Sequence, residues 1–268
     1  MKPEMVARHL RDAEWQAVHG NPNGALALYR RLFASGYRDV ETFKRYRRLH
    51  LTHRGIDLPH HEIFDMIYRA EVWGSRGNEA AVSSGYGSTG KATAPYRDFL
   101  VSFMRDKNIR SVVDIGCGDW ELGRLVDWTG VDYTGVDVSA VILENTSRFT
   151  ADGIRFIEGD ARTIDLPRAD LLLMKDVLQH WSNDDIKRFL PKIGGYRHAL
   201  LTNGAPLREA EDINHDIPAG NYHALDLTRP PFAVAGTFVL TYKSVVTEGD
   251  GKRAIDFKRV LHVESNVA

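Results

Sequence analysis

Four short runs of the sequence carry side chains that can do chemistry, and each follows a stretch of strand-forming residues. Asp114-Ile115-Gly116-Cys117-Gly118 ends an apolar stretch with two glycines, so the backbone can turn sharply and a ligand can approach without meeting a Cβ. Asp137 ends the next stretch, YTGVDVS, about twenty residues beyond the glycines, where a carboxylate can accept from both hydroxyls of a ribose. Asp160-Ala161 follows GIRFIEG, and there a carboxylate and a main-chain amide can read the amine and a ring nitrogen of adenine. The fourth run, Lys175-Asp176-Val177-Leu178-Gln179-His180-Trp181, supplies an imidazole that titrates near neutral pH and can take a proton from a hydroxyl. Asp176 is placed to orient His180 or to bind substrate. A histidine packed beside Trp181 to order the loop, and a helix-start carboxylate, account equally well for His180 and Asp176.

These runs need elements to hold them. Val112 to Ile115 and Asp132 to Val138 read as strands with a helix between them, and a further helix runs from a Thr93 cap through Arg105. Ser139 caps a helix to about Thr150; Ile154 to Glu158, Asp170 to Met174 and Arg197 to Thr202 are three more strands, with a helix over Asp184 to Leu190. Thr237 to Val246 and Ile255 to Val263 form an antiparallel hairpin joined by Glu248-Gly249-Asp250-Gly251. Such alternation predicts an α/β fold with a mostly parallel, Rossmann-like sheet and an antiparallel C-terminal hairpin. Before it, residues from about Met5 to Leu51 repeat apolar positions every three or four residues, and Gly20-Asn21-Pro22-Asn23-Gly24 joins two antiparallel helices. The expected organisation is a helical region over 1–74, a Gly/Ser-rich active-site loop or linker over 75–92, and a catalytic domain over 93–268. HGNPNGALALYRRLFASGY resembles one tetratricopeptide hairpin, but a single unit lacks the stacked neighbours such repeats need.

The strand-end pattern, followed by DLLLMKDVLQHW, resembles the class I S-adenosylmethionine (SAM)-dependent methyltransferases from about Thr93 onward. The resemblance implies SAM as cofactor, with Asp114 to Gly118 around its methionine part, Asp137 and Val138 at the ribose, and Asp160 and Ala161 at the adenine. It places Lys175 near the cofactor and His180 in a position where related small-molecule enzymes carry an active-site histidine. Trp120 stands where the family's first loop has a third glycine and is expected to line the pocket. Arg97 is a candidate for the SAM carboxylate. A narrower similarity, in the SG-x-GS stretch and the D-x-GCGD opening, points to enzymes associated with bacterial surface-polysaccharide modification.

The long polar segment TNGAPLREAEDINHDIPAGNYHALDLTRPPF replaces a compact helix and is expected to overhang the active site. Asn203, Asn214, Asp216 and His223 are its candidate substrate contacts, joined by Tyr86, Lys91 and Trp181; ordinary turn formation explains the Asn and Asp residues as well. The expected reaction is methyl transfer to a small polar acceptor, favouring a sugar or glycoconjugate hydroxyl. Alternatives are a small amine, an RNA or protein acceptor, and a protein-interaction module on an inactive fold. A nicotinamide enzyme is disfavoured because Glu121 occupies the last glycine position of its fingerprint, and Gly85 to Lys91 mimics a phosphate loop but continues with Ala92 instead of Ser or Thr.

Composition narrows the partners. With 35 basic and 36 acidic residues the formal charge is -1, giving no global attraction to nucleic acid or an anionic membrane. The stretch FKRYRRLHLTHRG clusters Lys44, Arg45, Arg47, Arg48 and Arg54 about Tyr46; it suits base stacking and phosphate contact, or a solvated helix face. The lone Cys117, a charged start and no long apolar run predict a cytoplasmic chain without disulfides or a membrane span. Scattered histidines show no ligand spacing, so no metal is expected.

Overall fold

The computed structural model describes residues 1–37, 39–52, 59–69, 71–73, 84–205, 213–247 and 253–265. The chain divides into two compact units, residues 1–83 and 84–268. In the first, proline starts both helices of a hairpin, α1 (Pro3–Val18) and α2 (Pro22–Ala34), because its missing N–H costs nothing at a helix start. Asn21 caps α2, its side chain accepting from the Gly24 amide at 3.1 Å. Asp39 caps the next helix, α3 (Val40–Thr52), by accepting from the Thr42 amide and hydroxyl. Then follows α4 (His60–Arg69).

Ala25, Leu26, Tyr29, Leu32 and Phe33 recur on one face of α2 and are buried, with Phe43 and Tyr46 of α3 meeting them edge to face. Tyr46 is only 2% exposed, so it belongs to this core and is no base-stacking platform. The basic run around it is partly neutralised, Arg45 pairing with Glu14 and Lys44 with Glu41.

The second unit opens with a 3-10 turn (Tyr86–Ser88) and α5 (Ala94–Asp106). Its strands are β1 (Ser111–Ile115), β2 (Asp132–Asp137), β3 (Ile154–Glu158), β4 (Leu171–Lys175), β5 (His198–Gly204), β6 (Thr237–Thr247) and β7 (Arg253–Glu264). They form a seven-stranded sheet in the order β3-β2-β1-β4-β5-β7-β6. The first five are parallel, and β7 runs antiparallel to both its neighbours, β5 and the edge strand β6, the Rossmann-like α/β arrangement with one reversed strand next to the edge. β4 is apolar up to Lys175 and β5 is buried throughout, as strands in the middle of a parallel sheet covered on both faces are. Helix α6 (Ala140–Thr146) follows β2, and α7 (Asn183–Ile193) precedes β5. The hairpin turn 248–251 lies outside the described residues.

One expectation fails. Between β1 and β2 there is no α-helix, only a 3-10 turn, Gly123–Leu125. Trp120 takes a left-handed backbone (φ 56°), and Asp127 accepts from the Thr129 amide in a further turn before Gly130 (φ 75°), so this segment is spent on turns. The strand order reverses between β1 and β4, which opens a crevice beyond their carboxyl ends where doubly wound sheets bind ligands. Among the described residues no helix is long and apolar enough to cross a membrane.

Candidate active site

The chain leaves β1 by bending over β2, the amides of Gly116 and Cys117 both donating to the Val136 carbonyl. Gly116 has φ 73°, and a Cβ there would come within 2.3 Å of the Val177 side chain, so only glycine lets this loop pack on the turn after β4. Gly118 donates its amide to Asp137 Oδ2 at 3.0 Å and accepts from Thr146 Oγ1 through its carbonyl. Asp137 is buried, its other oxygen accepting from the Ser139 amide at 3.0 Å. Its carboxylate thereby holds the shape of the glycine loop and stands at the end of β2 with a rigid orientation. Val138, half-buried, continues the chain from it.

Asp114 lies beneath this loop. Burial pushes its carboxyl up to about 7, opposed by a 2.7 Å hydrogen bond from the Tyr133 hydroxyl and by the Lys175 ammonium, and reinforced by the charge of Asp137. The same burial, with the nearby carboxylates, raises the Cys117 thiol well above its usual range, so it stays a neutral S–H. Trp120 is buried against Tyr133, Phe149 and Phe156. The indole packing offsets the cost of a non-glycine residue at positive φ.

Segment 84–90 is tied across this end of the sheet. Ser84 donates its amide to Asp119 Oδ2, while the Asp119 amide donates to Ser84 Oγ; Lys175 Nζ reaches the Gly87 carbonyl at 3.3 Å. Arg97 donates to the carbonyls of Gly90 (3.0 Å) and Leu125 (3.4 Å). Lys91 is exposed, and the Tyr86 side chain lies outside the described residues.

After β4, Asp176 adopts φ 60° and places its carboxylate between two ammonium groups, Lys175 on Oδ2 and Lys258 at 2.7 Å from Oδ1. Burial opposes its ionisation, but the two lysines outweigh that and hold the carboxyl well below its usual range. Such a group is a weak proton acceptor. His180 closes a 3-10 turn, Leu178–His180, and its Nδ1 lies 2.7 Å from the Asn221 carbonyl oxygen. A carbonyl only accepts, so the proton sits on Nδ1 and Nε2 carries the lone pair. The Gln179 amide nitrogen stands 3.4 Å from that Nε2, fixed because Gln179 Oε1 accepts from the Gly204 amide at 2.7 Å.

The residues 60–208 match the family described as the O-methyltransferase domain. The chain belongs to this family. It is accordingly an enzyme, a class I methyltransferase that uses SAM. Its fold resembles those of the magnesium protoporphyrin IX methyltransferase of Synechocystis PCC 6803 (14% identity, 79% of this chain and 100% of that one, TM-score 0.52) and human N-acetylserotonin methyltransferase (18%, 92% and 67%, 0.50). A third similar structure is described as converting a disulfide bond into a thioacetal group during echinomycin biosynthesis (20%, 76% and 92%, 0.51). No curated protein sequence matches the chain.

In this methyltransferase the loop after β3 is a charged knot. Arg162 grips Asp160 through Nε (3.0 Å) and Nη2 (2.6 Å) and reaches on to Asp185 of α7, while Lys192 donates to the buried Ala161 carbonyl. The polar segment after β5 docks on the β4 turn, Gly220 donating to the His180 carbonyl and His223 to that of Gln179. Three of its candidate residues are spent on structure, two within the segment and one tying it to α7. Asn214 (φ 63°) bonds the carbonyls of Asp226 and Pro230 and accepts from the Asp226 amide. Asp216 accepts from the Asn183 amide at the start of α7, and His223, pushed down by burial, bonds the His215 carbonyl. Trp181 is buried edge to face on Phe189. Asn203 differs: it is 5% exposed, and its Oδ1 finds no donor among the described residues. Lys258 is a site residue that no motif in the sequence marks. Its parity with the buried Val260 on β7 was the available signal that it points inward.

Proposed function

We propose that this enzyme methylates a hydroxyl oxygen of a small polar acceptor, a sugar or glycoconjugate hydroxyl being the favoured class, with His180 as general base. The observation that carries the reading is the 2.7 Å bond from His180 Nδ1 to the Asn221 carbonyl, which puts the lone pair on Nε2 beside the switch point of the sheet, where a substrate hydroxyl would take the place of the Gln179 amide now 3.4 Å away.

The residues present fit SAM. A glycine cradle that a Cβ would close and a buried, rigid carboxylate stand at successive strand ends, as a nucleoside with an amino-acid tail requires. On this reading Asp114 and Gly116 to Gly118 hold the methionine part, with Lys175 above them, and Asp137 with Val138 holds the ribose. The loop at Asp160 and Ala161 receives the adenine; with Arg162 gripping the Asp160 carboxylate, the loop's shape and main chain carry recognition. Bound SAM supplies a methyl group on a sulfonium sulfur, an electrophile open to direct displacement. With SAM held there, its methyl group would go to the acceptor oxygen with the thioether as leaving group, and His180 would take the hydroxyl proton onto Nε2. Lys175 and Lys258 keep Asp176 ionised, so it serves electrostatics and positioning instead of proton transfer. Asn203 offers a buried acceptor to a hydroxyl-rich molecule. Arg97, bound to two carbonyls, orders segment 84–90. An RNA acceptor draws no support from the basic stretch, since Tyr46 is core.

The test is a SAM-dependent screen over sugars, polyols, amines, peptides and RNA, reading S-adenosylhomocysteine and the mass of each product. Transfer confined to amine or RNA acceptors would refute the reading.

A further inference from the structure

A second cluster of side chains lies at the other end of the sheet. His198 opens β5, so it sits about 20 Å of strand away from Gly204 and the crevice. The antiparallel register sets His198 directly opposite Glu264 and Leu200 opposite His262 on β7. Directly opposed residues share a face, and so do residues two apart on one strand; His198, His262 and Glu264 therefore converge on one side of the sheet. His198 Nδ1 is 3.1 Å from His262 Nε2 and 3.5 Å from Glu264 Oε1, and all three ligand atoms lie within 4.8 Å of one another.

These separations have a chemical meaning. Four ligands about 2.05 Å from a tetrahedral zinc-type ion stand about 3.3 Å apart, which is the spacing found here for two of the edges. Two imidazoles and a carboxylate are also the donor set that borderline dications prefer, whereas calcium and magnesium want oxygen alone. We propose that His198, His262 and Glu264 form a binding site for a zinc-type transition-metal dication, fastening β7 to β5, with water as the fourth ligand.

The surroundings suit a structural ion. His198 is buried and Glu264 exposed, so the site is walled on one side and open to water on the other. The Phe103 ring packs edge-on against both imidazoles, at 5.7 and 5.1 Å, and limits their rotation. Each neutral ring can carry its proton on its other nitrogen, leaving both facing lone pairs for the metal. Two cations lie nearby. Arg197 is paired with Asp170, and Lys107 sits 3.4 Å from Glu264 Oε1, from which a bound dication must displace or share it. The spacing along the chain gave no hint, because His198 and His262 are 64 residues apart and only strand register joins them.

The test uses the full chain, stripped with a chelator and titrated with Co²⁺ alone. One equivalent should bind with the intense visible absorption of a four-coordinate ion, Zn²⁺ should bleach it, and Zn²⁺ should raise the melting temperature. Glu264→Gln, at an exposed position, and His262→Ala should each weaken Co²⁺ binding at least tenfold and abolish that absorption, with His61→Ala as an indifferent control. Absence of saturable Co²⁺ binding to the unmutated chain would overturn the proposal. So would binding that survives both site substitutions or follows His61.

Discussion

Beyond β1 and β2 the crevice is shaped by main chain: two glycines at positive φ, and one buried carboxylate bonded to the amides of Gly118 and Ser139. Beyond β4 and β5 it is shaped by side chains drawn from distant parts of the sequence. There Asp176 meets Lys258, and His180 meets the carbonyl of Asn221. The contrast follows from what each half must do. A nucleoside tail is recognised by a compact turn that one strand end can supply, whereas a proton-accepting imidazole and a compensated buried charge need partners brought in by the tertiary fold.

That contrast can be broken most severely at Lys258. Lys258→Met removes one partner of a buried ion pair and should cost about 3–5 kcal/mol of stability, read as the shift of a urea unfolding midpoint; a change under about 1 kcal/mol would mean that Lys175 alone compensates Asp176. Next in size is His180→Ala, which should leave SAM affinity nearly intact while turnover on a hydroxyl acceptor falls about a hundredfold or more. Its residual rate should climb with pH, because solvent must replace the lost base; near-normal turnover would remove His180 from the reaction. Asp137→Ala should cost about 1.5–3 kcal/mol of SAM binding, measured by calorimetry. Unchanged affinity would place the ribose elsewhere.

The smallest effect concerns Asp114. Its carboxyl is raised to about 7 in the folded protein, so the protonated form is favoured up to that pH. Relative to an unperturbed carboxylate, its contribution to stability is fully present below the ordinary carboxylate range and is lost as pH rises toward 7. If the ionised form receives the ammonium of SAM, affinity should be flat above about pH 7 and fall by up to tenfold per unit below it, a change of about 1.4 kcal/mol per unit. Calorimetry across that range decides it, and Asp114→Asn should flatten the profile. A slope that persists in this variant would assign the titration to another group.

The legibility of the molecule divides along the same line. Strand ends at Gly116, Asp137 and Asp160 could be read because an apolar run, a turn and an acid are adjacent in sequence, and so could the reversed hairpin with its alternating strands. The helix expected between β1 and β2 failed because apolar spacing does not reveal that Trp120 adopts a left-handed backbone. In the polar segment the residue types are legible but their partners are not. Asn214 and Asp216 spend their polar atoms on Asp226, Pro230 and Asn183, contacts that depend on how the segment folds back. Lys258 is hard to read for a related reason: strand parity gives its inward direction, but its partner Asp176 stands in the turn after β4, more than eighty residues earlier.

Trp120 gives the enzyme an optical property of its own. Its indole is enclosed by Tyr133, Phe149 and Phe156 only two residues from Gly118, so it emits from a dry environment beside the turn that would close around the nucleoside. Trp15, by contrast, is 61% exposed and open to collisional quenching by iodide. With that outer emission quenched, the part of the shielded signal, shared with the buried Trp128 and Trp181, that is lost in Trp120→Phe should change on adding S-adenosylhomocysteine and report occupancy of the crevice in real time, without a label.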